Sequence, residues 1–541
     1  MKSTTQKESN SLRVLIANPA VRRELDRGLE RYFMGSGVRF PWSMVKQEKY
    51  KPRFSIFPMF LGYTAALLEQ AGFDTKVIDG VPLNLSDQEF RERADFLQPD
   101  IIILEPNSAV ISDALSHAEY FKRSCDATII IAGSHVTAET QSVFRSCQAV
   151  DYAVLGEFEF GIRNLVTALQ ENKAAEVIET LEGVVTRSTV FNANKGSSDS
   201  ACQKRKLAPM VEDLDSLPTP ARHLFPAYFN NDMRLYHDGF NQLQPAMDMH
   251  ATRGCPHSCN FCVWVHVLFD NGKQRLRSLD SIINEMESLV RDFGAEEIYF
   301  DDDNFTANKK FVSNFCNRLI ERNVKIPWSA LADAIALTEG MLEKMAEAGC
   351  IGIKFGLDSA DSDVLRNSNK PLKVSRVTSL VEKARKLDIK THMTVVLGLQ
   401  GETKASLQRT FDFSCELDID SIQFSLATPV PGTPLYNHLQ ATHKLSFVRW
   451  DELDGYSSSV ILYDDISQEY LDRFEFDIHS RWLRARLRHP RWVLRQFSQL
   501  LRLGRSQGVR GLVRRIRRGV QLISGDSIMV GTTKGLTSIR W

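Results

Sequence analysis

Three cysteines crowd into one short run, Thr252–Cys262, which reads TRGCPHSCNFC. Cys255, Cys259 and Cys262 have the spacing C-x3-C-x2-C and follow an apolar stretch, Met247–Ala251, that reads as a strand. A loop of this length can wrap three thiolates around one face of a cluster, and thiolates are the soft ligands that iron–sulfur clusters select. A fully ligated electron-transfer cluster usually takes four cysteines, and no fourth lies nearby. Three ligands leave one iron open, which makes a metal site reactive rather than structural. The rival chemistry for the same residues is zinc, held by the three thiols with His257 or His266. Zinc motifs normally come as two separated ligand pairs, and this run is a single cluster.

The elements around the loop repeat a βα unit. Strand patterns at Glu297–Phe300, Ile351–Gly356, Thr391–Leu397 and Ser421–Leu426 alternate with helical patterns at Ser278–Phe293, Lys309–Arg322, Thr338–Ala348, Ser375–Leu387 and Lys404–Leu417. That region predicts a partial or complete barrel over residues 246–440. Upstream, Arg13–Ala17, Thr75–Ile78, Ile101–Leu104, Thr128–Ile131 and Tyr152–Leu155 read as strands, with helices such as Leu61–Ala71 and Ser112–Arg123 between them. This order predicts a doubly wound, Rossmann-like parallel sheet over residues 1–175, which binds ligands beyond the carboxyl ends of its strands. Residues 176–245 read as a linker, polar at Asn192–Lys206 and proline-stiffened at Asp215–Arg222; residues 441–541 read as a helical extension. The fold class is therefore α/β in two domains with a helical tail.

A chain of 541 residues needs more than one core. Its 43% hydrophobic and 25% charged residues are those of a globular protein, and no apolar stretch reaches the roughly 18 residues of a membrane span. The polar start, Met1–Asn10, is followed by no signal-peptide core, so a cytoplasmic location is expected. Nine cysteines, six of them scattered, argue against a disulfide framework. The formal net charge of zero conceals thirteen arginines and no acidic residue between Arg481 and Arg518. Leucines, Phe497, Val513 and Ile516 recur there at approximately helical spacings, and Trp482 and Trp492 add interfacial aromatics. This pattern suits peripheral contact with an anionic membrane on its inner face; a solvated helix packed on the barrel is the plain alternative. With an acidic body and no RNA-binding module, nucleic acid is not expected as a partner.

The cysteine run, with Phe261 ahead of its last cysteine, resembles the defining motif of the radical S-adenosylmethionine (SAM) superfamily. That resemblance implies a 4Fe–4S cluster on Cys255, Cys259 and Cys262. Its open iron takes SAM, and reductive cleavage releases a 5′-deoxyadenosyl radical. Further segments resemble the family's pattern: Phe300–Thr306 (FDDDNFT), Phe355–Ala360 (FGLDSA) and Leu397–Glu402 (LGLQGE). They imply SAM contacts at Phe261, Asp303, Asp358, Ser359 and Gly398. Asp358 stands where Glu is usual and Gln400 where Pro is usual. Asp301, Asp302 and Asp303 serve equally well as caps of the following helix.

Ala132–Ala138 (AGSHVTA) and Gly156–Phe160 (GEFEF) resemble cobalamin-binding domains found ahead of many radical SAM modules. They imply cobalamin contacts at Gly133, Ser134, His135, Gly156 and Glu157. Ala17–Gly28 has no histidine, so cobalt would lack the lower ligand supplied by a D-x-H-x-x-G motif. The same segments also suit a domain that keeps the fold and positions substrate without cobalamin. The resemblance implies methyl transfer to a carbon of a small-molecule or lipid-like substrate, with electrons from a donor such as flavodoxin or ferredoxin. The alternatives are cyclisation or rearrangement of the magnesium-protoporphyrin ester cyclase type, and a non-catalytic iron–sulfur regulatory module.

Overall fold

The computed structural model describes residues 11–25, 29–33, 35–36, 43–47, 55–192, 207–269 and 272–498. Six strands form the amino-terminal sheet: β1 (Arg13–Asn18), β2 (Asp74–Asp79), β3 (Ile101–Leu104), β4 (Thr128–Ala132), β5 (Tyr152–Val154) and β6 (Val184–Thr186). Their spatial order is β2-β1-β3-β4-β5-β6, parallel except for β6 at the edge. β3 (IIIL) is buried throughout, as a central strand covered on both faces must be. The chain reverses direction across the sheet between β1 and β3, the kind of crevice where doubly wound sheets take ligands.

The second sheet has six parallel strands in sequential order: β7 (Ala246–Met249), β8 (Glu297–Phe300), β9 (Trp328–Ala332), β10 (Cys350–Asp358), β11 (Lys390–Leu397) and β12 (Ser421–Leu426). Helices Leu279–Phe293, Lys309–Glu321, Glu339–Glu347, Val374–Lys386 and Lys404–Glu416 connect them as an open half of a barrel. Local chemistry sets their ends. Ser278 caps the first by accepting from Ser281 N–H, and Gly294 closes it with a left-handed φ of 67°. The core lies between these strands and helices, around the packed rings of Phe300, Phe305, Phe315 and Trp328.

Four differences from the sequence reading have physical causes. β6 lies in the 176–245 segment read as linker and so extends the amino-terminal domain past residue 175; a three-residue antiparallel edge strand gives no periodic signal. β9 was not foreseen, because its sequence WSALA has no continuous apolar run and carries Ser329, whose hydroxyl donates to buried Glu297 at 2.6 Å. The long aromatic connection after β1 contains a three-stranded antiparallel sheet, Val21–Leu25, Leu29–Phe33 and Ser43–Gln47. In the carboxyl-terminal region α-helix begins only at Gln468; before it the chain runs as a strap with a 3₁₀ turn at Trp450–Glu452 and a bridge between Leu445 and Ile461. Most of the polar linker and the tail beyond residue 498 lie outside the described residues.

Candidate functional site

The cysteine loop leaves the carboxyl end of β7 through a two-residue ladder, Thr252–Arg253 against Arg275–Leu276. Gly254 then turns at φ 89°, where an added Cβ would collide with the Lys273 carbonyl. Cys255, Cys259 and Cys262 are free thiols, each half-buried. Burial pushes the Cys255 thiol up to about 11 and the Cys259 thiol up to about 12. The neighbouring thiols raise Cys259 further, so the three sulfurs share one electrostatic neighbourhood. Bare thiolates are disfavoured there, and a bound cationic cluster is what would hold them deprotonated. Among the described residues no three Cys, His, Asp or Glu side chains already stand at metal-ligand separations. Three soft donors on one loop nevertheless fit a cluster with an open iron better than a closed zinc site. His257, the rival zinc ligand, is engaged elsewhere: its Nε2 meets Asp333 Oδ2 at 2.6 Å. His266 Nε2 lies 3.1 Å from the Cys259 carbonyl.

The acidic run after β8 fastens the loop. Asp302 accepts from Ala251 N–H at 2.9 Å and Thr252 Oγ1 at 2.8 Å. Asp303 accepts from Gly254 N–H at 2.6 Å. The helix-capping alternative for these aspartates is overturned, because Asn308 caps Lys309–Glu321. Asp358 ends β10 at φ 62° and pairs with Lys370, whose side chain is 9% exposed and whose Nζ also donates to the Gly356 carbonyl at 2.8 Å. Burial opposes the Lys370 charge, but Asp358 and then Cys259 hold its pKa above the ordinary lysine value. Ser359 is buried, with its hydroxyl 3.2 Å from Thr410 Oγ1. Gly398 accepts through its carbonyl from the Tyr463 hydroxyl at 2.6 Å. Phe261 packs beside Leu399 and Leu435 in a small apolar cluster. Thus Asp303 holds the loop directly and the Asp358–Lys370 pair lies within electrostatic reach of Cys259, while Gly398 and Ser359 meet Tyr463 and Thr410 instead.

The amino-terminal sheet brings its own five residues together at the ends of β4 and β5. Gly133 sits at φ 103°, and an added Cβ would press Glu105 Cγ at 3.0 Å. Ser134 and His135 open the short helix Ser134–Ala138. His135 Nδ1 lies 3.0 Å from Ser108 Oγ, and its ring meets Trp450 edge-on at 4.8 Å. Burial pushes this imidazole down to about 3. Gly156 N–H donates to Thr137 Oγ1 at 3.0 Å, which ties β5 to the Gly133 loop.

Glu157 has a use that the sequence reading missed. It receives Arg275 through two guanidinium nitrogens, at 2.6 and 2.8 Å, and Arg253 Nη1 at 3.2 Å. Arg253 Nη2 reaches Glu159 at 2.6 Å. Burial raises Glu159, and Arg253 opposes that rise. All four residues are buried in the described structure, and the Arg253 guanidinium also lies over Phe60 and Tyr63 at 4.8 and 5.0 Å. Two residues before the first cysteine, the barrel is therefore clasped to the other domain. Helix Ser134–Ala138 packs against the turn Trp264–Leu268 that follows the third cysteine.

Residues 249–414 match the family model for the radical SAM superfamily. The chain is 28% identical over 396 residues to an uncharacterized methyltransferase of Pyrococcus horikoshii, covering 73% of this chain and 80% of the relative. It is 26% identical over 392 residues to the anaerobic magnesium-protoporphyrin IX monomethyl ester cyclase of Cereibacter sphaeroides, covering 71% of this chain and 60% of that one. Among solved structures it resembles the cobalamin-dependent SAM radical enzyme OxsB with aqua-cobalamin and SAM bound. That match has a TM-score of 0.64 at 14% identity and covers 91% of this chain and 70% of the other.

Proposed function

We propose that this chain, which carries a radical SAM domain, is a cobalamin-dependent radical SAM enzyme that transfers a methyl group to a substrate carbon. One observation carries the reading. The segments that flank the three-cysteine loop meet the strand ends of the amino-terminal sheet: Arg253 and Arg275 share buried ion pairs with Glu157 and Glu159, and the turn Trp264–Leu268 packs against helix Ser134–Ala138. Two cofactors held at those places would face one substrate across a short gap, so proximity rather than diffusion would govern transfer. Cys255, Cys259 and Cys262 would hold a 4Fe–4S cluster that cleaves SAM when reduced. Cobalamin, as methyl carrier, would lie against Gly133, Ser134 and Gly156. Small residues there allow close backbone approach, while His135, neutral and covered by Trp450, supplies no free ring to the cobalt. Asp302 and Asp303 hold the cysteine loop in register, Lys370 sets positive charge beside Cys259, and Phe261 offers an apolar face to an adenine.

The test is anaerobic reconstitution of the full chain with iron, sulfide and cobalamin, followed by SAM and a one-electron donor such as flavodoxin or ferredoxin. Formation of 5′-deoxyadenosine supports the radical reading, and S-adenosylhomocysteine supports methyl transfer. A loaded chain that forms neither product defeats the enzyme reading in favour of a regulatory module. 5′-Deoxyadenosine without S-adenosylhomocysteine favours the cyclase-type alternative, in line with the magnesium-protoporphyrin relative. A corrinoid spectrum absent after desalting defeats the cobalamin assignment alone.

Among the described residues no helix is long and apolar enough to cross a membrane. We propose instead a peripheral contact. The segment 490–498 exposes Leu494 (68%) and Phe497 (57%) beside the exposed Arg488 and Arg491. An apolar patch flanked by arginines suits anionic lipid. Co-sedimentation with phosphatidylserine vesicles supports this contact if it is lost on removing residues 490–541; no co-sedimentation by the full chain overturns it.

A further inference from the structure

Asn304 stands just past the acidic run that follows β8, 2% exposed and held from several sides. Its backbone carbonyl accepts from Gln274 Nε2 at 2.7 Å. Its side-chain Nδ2 donates to Asp333 Oδ2 at 3.1 Å, the same oxygen that His257 Nε2 meets at 2.6 Å. Asp333 is itself anchored, because its backbone N–H donates to Thr306 Oγ1 at 2.8 Å. A carboxylate oxygen accepts hydrogen bonds, so the amide must turn its NH2 rather than its oxygen toward Asp333. That NH2 carries a second hydrogen. Cys255 Sγ lies 3.5 Å from the same nitrogen.

We propose that Asn304 is a positioning residue whose amide N–H hydrogen-bonds to the Cys255 thiolate of the bound cluster and raises the cluster's reduction potential. A donor aimed at a ligand sulfur draws electron density from it, which favours the reduced, more negative cluster. Asp333 and His257 fix the amide plane, and His257 belongs to the cysteine loop itself. Donor and sulfur therefore move as one unit when the loop closes on iron. This inference rests on cluster binding by Cys255, Cys259 and Cys262, and on nothing about cobalamin or the product.

The test compares the full-length wild type with Asn304→Leu and Asn304→Asp, each reconstituted anaerobically to the same iron content and titrated with the cluster's EPR signal as readout. Both variants are expected to move the midpoint to more negative values. Asn304→Asp should move it further, because it turns an acceptor toward the sulfur. Unchanged midpoints at full iron loading overturn the proposal. Wild-type chain labelled with 15N in the asparagine side-chain amides gives a second readout that needs no variant. Hyperfine coupling to 15N in pulsed EPR of the reduced cluster, lost in Asn304→Asp, supports the contact. Its absence from the wild type overturns the proposal even if neither variant accepts a cluster. A wild-type chain that takes up no iron fails the cluster reading itself, so the two failures are told apart.

Discussion

The mouth of the half-barrel and the rim of the amino-terminal sheet are both built from residues at the carboxyl ends of parallel strands, yet they use charge oppositely. At the barrel mouth Asp302 and Asp303 hold the cysteine loop by its own polar groups, the backbone N–H of Ala251 and Gly254 and the Thr252 hydroxyl. At the sheet rim Glu157 and Glu159 reach across to guanidinium groups of the other domain. The first arrangement shapes a loop; the second joins two bodies. A carboxylate at a strand end thus has no fixed role, and what it meets decides what it does.

The comparison can be broken first at the cysteines. Cys255→Ser should abolish cluster uptake and SAM cleavage while leaving thermal unfolding in place; iron content, 5′-deoxyadenosine formation and Tm check the three parts. Arg253→Met attacks the other region by stranding buried Glu159. Removing one partner of a buried pair costs about 3–5 kcal/mol, read as a lower Tm or denaturant midpoint. Arg253→Met combined with Glu159→Leu should lose less than Arg253→Met alone, because no unpaired charge remains. A double variant as unstable as the single one would remove the clasp from this comparison.

Much of this division was legible in the sequence, and its limits are instructive. The cysteine loop and the strands around it were readable because their signals are local: ligand spacing, apolar runs and cap residues. The clasp was not, because Arg253 and Glu157 lie 96 residues apart. An arginine beside Gly254 and Cys255 gives no sequence sign that it is buried. Glu157 was read as a cofactor contact since its segment matched one, and only the fold brings it to Arg275. Asp301–Asp303 looked like cap or cofactor residues with equal reason, because which N–H each carboxylate meets is a tertiary fact. Asn304 sits in a segment with the family's pattern, but nothing in the sequence tells that its amide meets Cys255, and Asp333 carries no signal of its own.

A smaller effect sharpens the rim's side of the comparison. Burial pushes His135 down to about 3 from 6.5. As pH falls below about 6.5 the unfolded chain takes up a proton that the folded chain refuses until about 3. Stability is therefore fully present above that window and declines through it, by about 2 kcal/mol at pH 5. His135→Gln should flatten this decline, measured as denaturant midpoints at pH 5 and pH 8; an unaltered slope would show that the ring is not held neutral. The smallest effect on stability belongs to neither region. Phe497→Ser should leave Tm unchanged and reduce retention on phosphatidylserine vesicles.

The tail that carries Phe497 is fixed to the far end of the barrel. Arg486 and Arg495 bind Asp418 at 2.6 Å, and Trp492 Nε1 donates to the Ile419 carbonyl at 3.0 Å, just before β12 begins. The cysteine loop follows the opposite end of the strands. A molecule resting on a bilayer by this tail would hold its reactive opening toward the aqueous side, as a cup stands on its base. Substrate and electron donor would then approach from solution, and the lipid would set the enzyme's address without supplying its cargo.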